Sequence, residues 1–209
     1  MADYQMNRRV AIIDGVRTPF VKAFTHFRNW NAIDLGKKVV KELIERSELD
    51  VYEIDEVIMG CVVPPTFTPN IAREIILTLG LPRRIPGFTV NRACASSIQS
   101  IANAAESIAC GNNEVVIAGG AESMSAVPVP YPHGVIQKLW DFNRERSLLK
   151  RLRIIRRINP FRDLIPRPPR IAEFATGYTM GQHADQMARK NGITREEQDR
   201  YALLSHQRA

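Results

Sequence analysis

Of the residues able to do covalent chemistry, Cys94 has the most telling setting. It stands in Asn91-Arg92-Ala93-Cys94-Ala95-Ser96-Ser97, after a short apolar run over 88–91 and before a run of helical spacing over 95–110 that stops at Gly111. The thiol therefore falls where a strand turns into a helix. The first turn of a helix offers unpaired N–H groups and the positive end of the backbone dipole. Both favour a thiolate, and the same N–H groups can hold the oxyanion of a tetrahedral intermediate. The expected chemistry is nucleophilic, with Cys94 accepting an acyl group. The competing reading, a buried cysteine packed as a small hydrophobe, is assigned to Cys61 and Cys110. His26, His133, His183 and His206 are read as exposed or satisfied structural histidines. Cys61, Cys94 and Cys110 form no CxxC pair, so no cysteine-based metal site is expected. They are also too few for a disulfide framework, which points to the cytoplasm.

The elements that must position Cys94 are punctuated by glycine. Residues 10–14 read as a first strand ending in Gly15, and residues 33–46 as a helix with Leu35, Val39 and Leu43 on one stripe. A short strand over 56–59 closes at Gly60. A helix with Pro69 at its start runs to Leu79 and stops at Gly80. Strands over 88–91 and 115–118 flank the Cys94 helix, and Gly119 and Gly120 follow the last of them. Strands alternating with helices of crossover length predict an α/β layered fold, βαβαβαβ, with a mixed, mostly parallel sheet. In the Cys94 helix, Ile98, Ile101, Ala105 and Ile108 form a stripe, most other positions are Ala or Ser, and Glu106 is the only charge. Such a helix is expected to be buried, approached on several sides and covered by two layers.

The rhythm breaks near residue 126. The expected division is a core domain over 1–126 and a second region over 127–209, both incomplete. Val127-Pro128-Val129-Pro130-Tyr131-Pro132 is extended, and Pro166-Arg167-Pro168-Pro169-Arg170 is a second proline-rich stretch. Helical text resumes at Thr179 and runs to Lys190, then restarts near Thr194 and is still periodic at Tyr201 and Leu204 with no terminating signal. The expectation is that this chain is one portion of a longer one.

The net charge of +7 is placed unevenly: residues 138–170 hold eleven Lys or Arg against three Asp or Glu, and the remainder holds 18 against 19. No basic face outside that segment suits nucleic acid, so none is expected as a partner. Within it, Leu148, Leu149, Leu152, Ile155 and Ile158 make a helical stripe among Arg146, Lys150, Arg151, Arg153, Arg156 and Arg157. A basic amphipathic stretch of this kind suits an anionic membrane surface or an acidic partner subunit. The alternative is a solvated helix over the domain's own core. No apolar run approaches the roughly 20 residues of a membrane span.

Taken together, the residues around Cys94 resemble a known family. Val90-Asn91-Arg92-Ala93-Cys94-Ala95-Ser96-Ser97-Ile98-Gln99-Ser100-Ile101 is similar to the acyl-enzyme cysteine signature of thiolases. Arg17-Thr18-Pro19-Phe20, Asn70-Ile71-Ala72-Arg73 and Gly119-Gly120-Ala121-Glu122-Ser123-Met124-Ser125 resemble further thiolase segments. Thr179-Met180-Gly181, Gly192 to Asp199 and Ser205-His206-Gln207-Arg208-Ala209 resemble the thiolase loop domain. The likeness covers nearly the whole chain. With the basic insertion, it resembles the thiolase subunit of multienzyme fatty-acid β-oxidation complexes.

That resemblance implies a thiolase-like layered fold. It implies an acyl-CoA C-acyltransferase that cleaves 3-ketoacyl-CoA with CoA to acetyl-CoA and a shortened acyl-CoA, by a ping-pong scheme through a Cys94 thioester. Coenzyme A enters as substrate, with no separate cofactor or metal. Met180 corresponds to a methionine bordering the acyl and pantetheine tunnel. A homodimer and a hydratase/dehydrogenase partner subunit are implied, with peripheral membrane contact through 138–170. Thiolases carry further catalytic motifs: an Asn-Glu-Ala-Phe type segment, a Gly-His-Pro histidine and a Cys-x-Gly cysteine. None occurs in this sequence, so the isolated chain is expected to be inactive in thiolysis. Two rivals remain. A ketoacyl-synthase-type condensing enzyme is disfavoured by the segments at 119–125 and 205–209. A non-catalytic scaffold that docks on a membrane or a partner is allowed by the insertion.

Overall fold

A computed structural model describes residues 9–166 and 172–208. The chain divides into two compact units, Met1–Pro128 and Val129–Ala209. The expected proline-rich stretch beyond Pro166 lies outside the described residues.

In the first unit the order is α1 (Ala32–Ser47), β1 (Glu56–Gly60), α2 (Ile71–Thr78), β2 (Gly87–Val90), α3 (Ser96–Ala109) and β3 (Val116–Gly120). Asn31 opens α1 with a reciprocal capping box: its side chain accepts from the N–H groups of Ile33 and Asp34, and the Asp34 carboxylate accepts the Asn31 N–H. The α2 helix starts two residues later than Pro69, because the Asn70 side chain accepts the Arg73 N–H and so takes the capping position.

The three strands form one sheet in the order β2-β1-β3, and both pairings are parallel. The strand expected over 10–14 does not form, and the sheet among the described residues is parallel throughout. The reason is pairing: that run has no ladder partner among the described residues, and Ile12 and Ile13 stand 83% and 85% exposed. A strand's backbone groups need a neighbour, and local pattern does not supply one.

The central strand β1 is buried on both faces, as parallel strands usually are. Val57, Met59 and Cys61 face a cluster built with Ile71, Ile75 and Ile76 of α2 and Ala32, Ile33 and Val40 of α1. Ile58, alternate to these, is also buried, and α3 packs on β1, β2 and β3. Each fully buried isoleucine contributes about 1.5–3 kcal/mol of transfer free energy. The sheet thus lies between α2 and α3, with the C-terminal ends of all three strands at the edge where Cys94 is found.

The α3 helix departs from expectation in which face it buries. Ser96, Ser100 and Ala104 are buried, while Ile98 and Ile101 are exposed. The cause is close approach. A Cβ on Gly60 would lie 2.5 Å from the Ser96 carbonyl carbon and 2.6 Å from the Ser97 nitrogen. Only glycine on the strand and small side chains on the helix allow that spacing. The Ser100 hydroxyl completes the contact by donating to the Gly119 carbonyl at 2.6 Å. The larger isoleucines are turned away.

The second unit contains α4 (His133–Arg144), α5 (Leu148–Arg156), α6 (Pro160–Asp163), α7 (Met180–Lys190) and α8 (Arg195–Arg208). Val135, Asp163 and Ala188 are buried there, with Asp163 bonded to Lys138 and to the Asn159 N–H. The α5 helix buries no residue, so its apolar stripe does not cover a core of its own unit. No helix among the described residues is long and apolar enough to cross a membrane.

Candidate functional site

Cys94 lies in the five-residue turn between β2 and α3, as its neighbours imply, and its thiol is exposed. Residue types explain the turn. Asn91 ends the strand by accepting the Ala93 N–H on its own side chain at 3.0 Å, an Asx turn. Ala93 then adopts φ +45°, the left-handed region, where an L-residue costs about 1–2 kcal/mol. Ser96 grips the same turn from the helix side: its hydroxyl accepts the Arg92 N–H at 2.9 Å and donates to the Ala93 carbonyl at 2.6 Å. The Arg92 guanidinium bonds Gln99, one turn into α3.

The start of α3 differs from those of α1 and α7. Asn31 and Thr179 each cap their helix with a side chain in a capping box. Ala95, the residue that opens α3, supplies no side-chain cap. The Ser96 N–H turns back to the Ala93 carbonyl at 3.1 Å, beside an accessible thiol. This arrangement can hold a negative oxygen on the carbon that sulfur attacks.

Cys61 has the opposite environment. It is buried at the end of β1, 3.7 Å from the Glu122 carboxylate. Burial, then the Glu122 charge, pushes its thiol up to about 12, so it stays protonated at neutral pH. It is a structural cysteine, as its sequence setting suggests. Cys110 is not buried: it is the exposed C-cap of α3, where the helix ends against solvent.

Met180 is the first helical residue of α7 in the second unit and is 55% exposed. Cys94 belongs to the first unit and Met180 to the second. His183 is a partnered histidine: its Nε2 lies 3.2 Å from the Glu173 carboxylate and 3.3 Å from the Thr176 hydroxyl, with Tyr178 edge-on at 5.7 Å. The Thr176 hydrogen bond, foremost, holds the Glu173 carboxyl below the usual range.

Two features of the site escape the sequence reading. The left-handed Ala93 carries no glycine or asparagine to announce it; the signal is the Asn91 two residues before it. The role of Glu122 is set by contacts across 59 to 61 positions, which no local pattern marks.

Comparison with known proteins bears on the whole chain. Residues 10–209 match the family model described as thiolase, N-terminal domain. A 3-ketoacyl-CoA thiolase of Serratia proteamaculans (strain 568) is 47% identical over 201 residues, covering 96% of this chain and 46% of the relative. A 3-ketoacyl-CoA thiolase of Escherichia coli O9:H4 (strain HS) is 46% identical with the same coverage. Among solved structures, the Acat5 thiolase from Ascaris suum in complex with coenzyme A aligns with a TM-score of 0.74 at 29% identity, covering 93% of this chain and 46% of that one. The Bacillus anthracis acetyl-CoA acetyltransferase aligns with a TM-score of 0.71 at 28% identity. The chain thus spans about half the length of the curated relatives it matches.

Proposed function

Because the chain belongs to the thiolase family, we propose that it supplies the acyl-accepting half of a 3-ketoacyl-CoA thiolase. The observation that carries this reading is the exposed Cys94 thiol at the uncapped start of α3. Its sulfur attacks the 3-keto carbon of the substrate. The bond between C2 and C3 breaks, acetyl-CoA departs after protonation at C2, and the shortened acyl group stays on Cys94 as a thioester. The thiolate of a second CoA then displaces Cys94 and carries the acyl group away. First-turn N–H groups of α3 stabilise negative charge as the carbonyl becomes tetrahedral. Met180 borders the acyl and pantetheine path. Activation of the thiol and the proton transfer at C2 fall to residues outside this sequence, since none of its histidines or cysteines stands in the corresponding motifs. The working protein is a cytoplasmic homodimer in fatty-acid β-oxidation, with a hydratase/dehydrogenase subunit as partner.

A steady-state assay tests the division of labour. The 209-residue chain alone is expected to show no turnover of a 3-ketoacyl-CoA with CoA. Turnover that Cys94→Ala abolishes would overturn that division. Turnover that survives Cys94→Ala would overturn the nucleophile.

A second assignment concerns α5. Leu148, Leu149, Leu152 and Ile155 are exposed on a helix that also carries Lys150, Arg151, Arg153 and Arg156. This is the composition of a helix lying on an anionic membrane surface. Flotation with phosphatidylglycerol vesicles at low salt should recover the chain, and neutral vesicles should not. Failure to float on either removes this assignment and leaves a protein partner as the occupant of the stripe.

A further inference from the structure

The turn that carries Cys94 is held by a chain of contacts that begins beyond β3. Glu122, two residues past that strand, accepts the Val62 N–H on Oε2 at 2.8 Å and the Val63 N–H on Oε1 at 3.3 Å. The Val62 carbonyl accepts the Asn91 side-chain amide at 3.0 Å. The other end of that amide, Oδ1, accepts the Ala93 N–H at 3.0 Å. Ala93 is the left-handed residue immediately before the thiol. Backbone bonds fix the frame around this relay: the Cys61 N–H donates to the Val90 carbonyl at 3.2 Å, and the Ala121 N–H to the Gly60 carbonyl at 3.0 Å.

We infer that Glu122 and Asn91 are positioning residues for Cys94. The carboxylate fixes the 62–63 backbone, the Val62 carbonyl orients the Asn91 amide, and that amide holds Ala93 left-handed so that the thiol sits at the start of α3. The inference rests on Cys94 being the acyl acceptor proposed above. Each link has one job. Asn91 must be an amide, because only an amide donates to Val62 and accepts from Ala93 at once. Glu122 must be a carboxylate, because it meets two N–H donors and both its oxygens have to accept. The same carboxylate lies 3.7 Å from the Cys61 sulfur and adds to burial in raising that thiol. One acidic group thereby touches the buried Cys61 and, through the relay, seats Cys94. Ser96 supports the turn from the helix side but touches neither Val62 nor Glu122 in this relay.

The test uses the full 209-residue chain, iodoacetamide and peptide-resolved rates for Cys94 and Cys110. The two thiols flank the same helix and both are exposed. Their rate ratio therefore cancels any general loosening of α3. In the wild type, Cys94 is expected to react faster than Cys110. Asn91→Ala should lower the ratio about fivefold, the worth of one lost hydrogen bond, and Glu122→Gln should lower it less, with far-UV circular dichroism unchanged. Adding Ala93→Gly to Asn91→Ala should restore most of the ratio, because glycine takes the left-handed conformation without help. A fast Cys94 whose ratio neither substitution changes would overturn the positioning role. So would equal losses at both thiols, or a ratio that Ala93→Gly fails to restore. A wild-type Cys94 no faster than Cys110 would instead count against the nucleophile itself.

Discussion

In the first unit, Ile54, Val57, Ile71, Ile75, Ile76 and Ile85 are fully buried around β1. In the second, Leu148, Leu149, Leu152 and Ile155 of α5 line up with the same regularity, and all are exposed. Both regions carry an apolar period, yet only one closes a core with it. The α3 helix shows the two situations on a single element. Its small-residue face is pressed on the sheet, and Ile98 stands 70% exposed on the other side. An apolar stripe thus states that a face needs cover. Whether the cover lies in the same unit depends on partners that local sequence does not show; in α3 the glycines at the strand ends decide in favour of the serines.

The largest expected effect separates the two apolar stripes. Ile75→Ala should cost about 3 kcal/mol in urea denaturation, because it empties a fully buried position facing β1. Leu149→Ala, at a position 79% exposed, should cost less than about 0.5 kcal/mol. Equal losses would mean that the α5 stripe is buried after all. Next in size is Gly60→Ala, whose new methyl would meet α3 backbone; overpacking against groups that cannot yield costs about 1–3 kcal/mol. Its counterpart, Gly134→Ala in α4, has nothing within 4 Å and should stabilise by up to about 1 kcal/mol by removing helical glycine. Thermal melts of the pair should move in opposite directions, and a shared direction would break the contrast.

Ser100→Ala should come third, at about 1–2 kcal/mol, since it leaves the Gly119 carbonyl without its 2.6 Å donor. Ser147→Ala, at the start of α5 where that side chain makes no capping bond, should be close to neutral by comparison. The smallest effect is electrostatic. Asp55 is held below the usual carboxylate range by the N–H groups of Val115 and Glu114, which tie the entry of β1 to that of β3. A lowered folded-state value means that this contribution is present above the ordinary carboxylate pKa and is lost as pH falls through the lowered one. Stability measured from neutral pH downward should therefore fall less steeply in Asp55→Asn than in the wild type. An unchanged acid limb would show that the carboxylate is not part of the sheet's fastening.

The stretch from Glu56 to Gly120 was legible because its strands and helices are short, local and punctuated by glycine. The Cys94 turn was legible for the same reason, since the strand end, the small residues and the helix spacing are all within 20 positions of one another. The run over 10–14 was not, because its alternation does not reveal whether a neighbouring strand exists. Nor was the face of α3, where Ile98 and Ile101 outweigh Ser96 and Ser100 in any hydrophobic count, although close packing on Gly60 favours the serines. The α4 helix is masked in the sequence by the proline-rich stretch before it, although Val135, Ile136, Leu139 and Trp140 carry its period. The fastening of Glu122 to the 62–63 backbone joins residues some 60 positions apart, and only the fold brings them together.

The central claim is that Cys94, and neither Cys61 nor Cys110, accepts the acyl group. Single-turnover incubation of the chain with a short acyl-CoA, whose transfer to sulfur needs no proton at C2, followed by acid quench and peptide mass mapping, tests it directly. The account predicts an acyl mass increment on the peptide holding Cys94 that hydroxylamine removes and Cys94→Ala abolishes, with none on the peptides holding Cys61 and Cys110 in the folded protein. An increment on Cys110, or an increment that persists in Cys94→Ala, would contradict it.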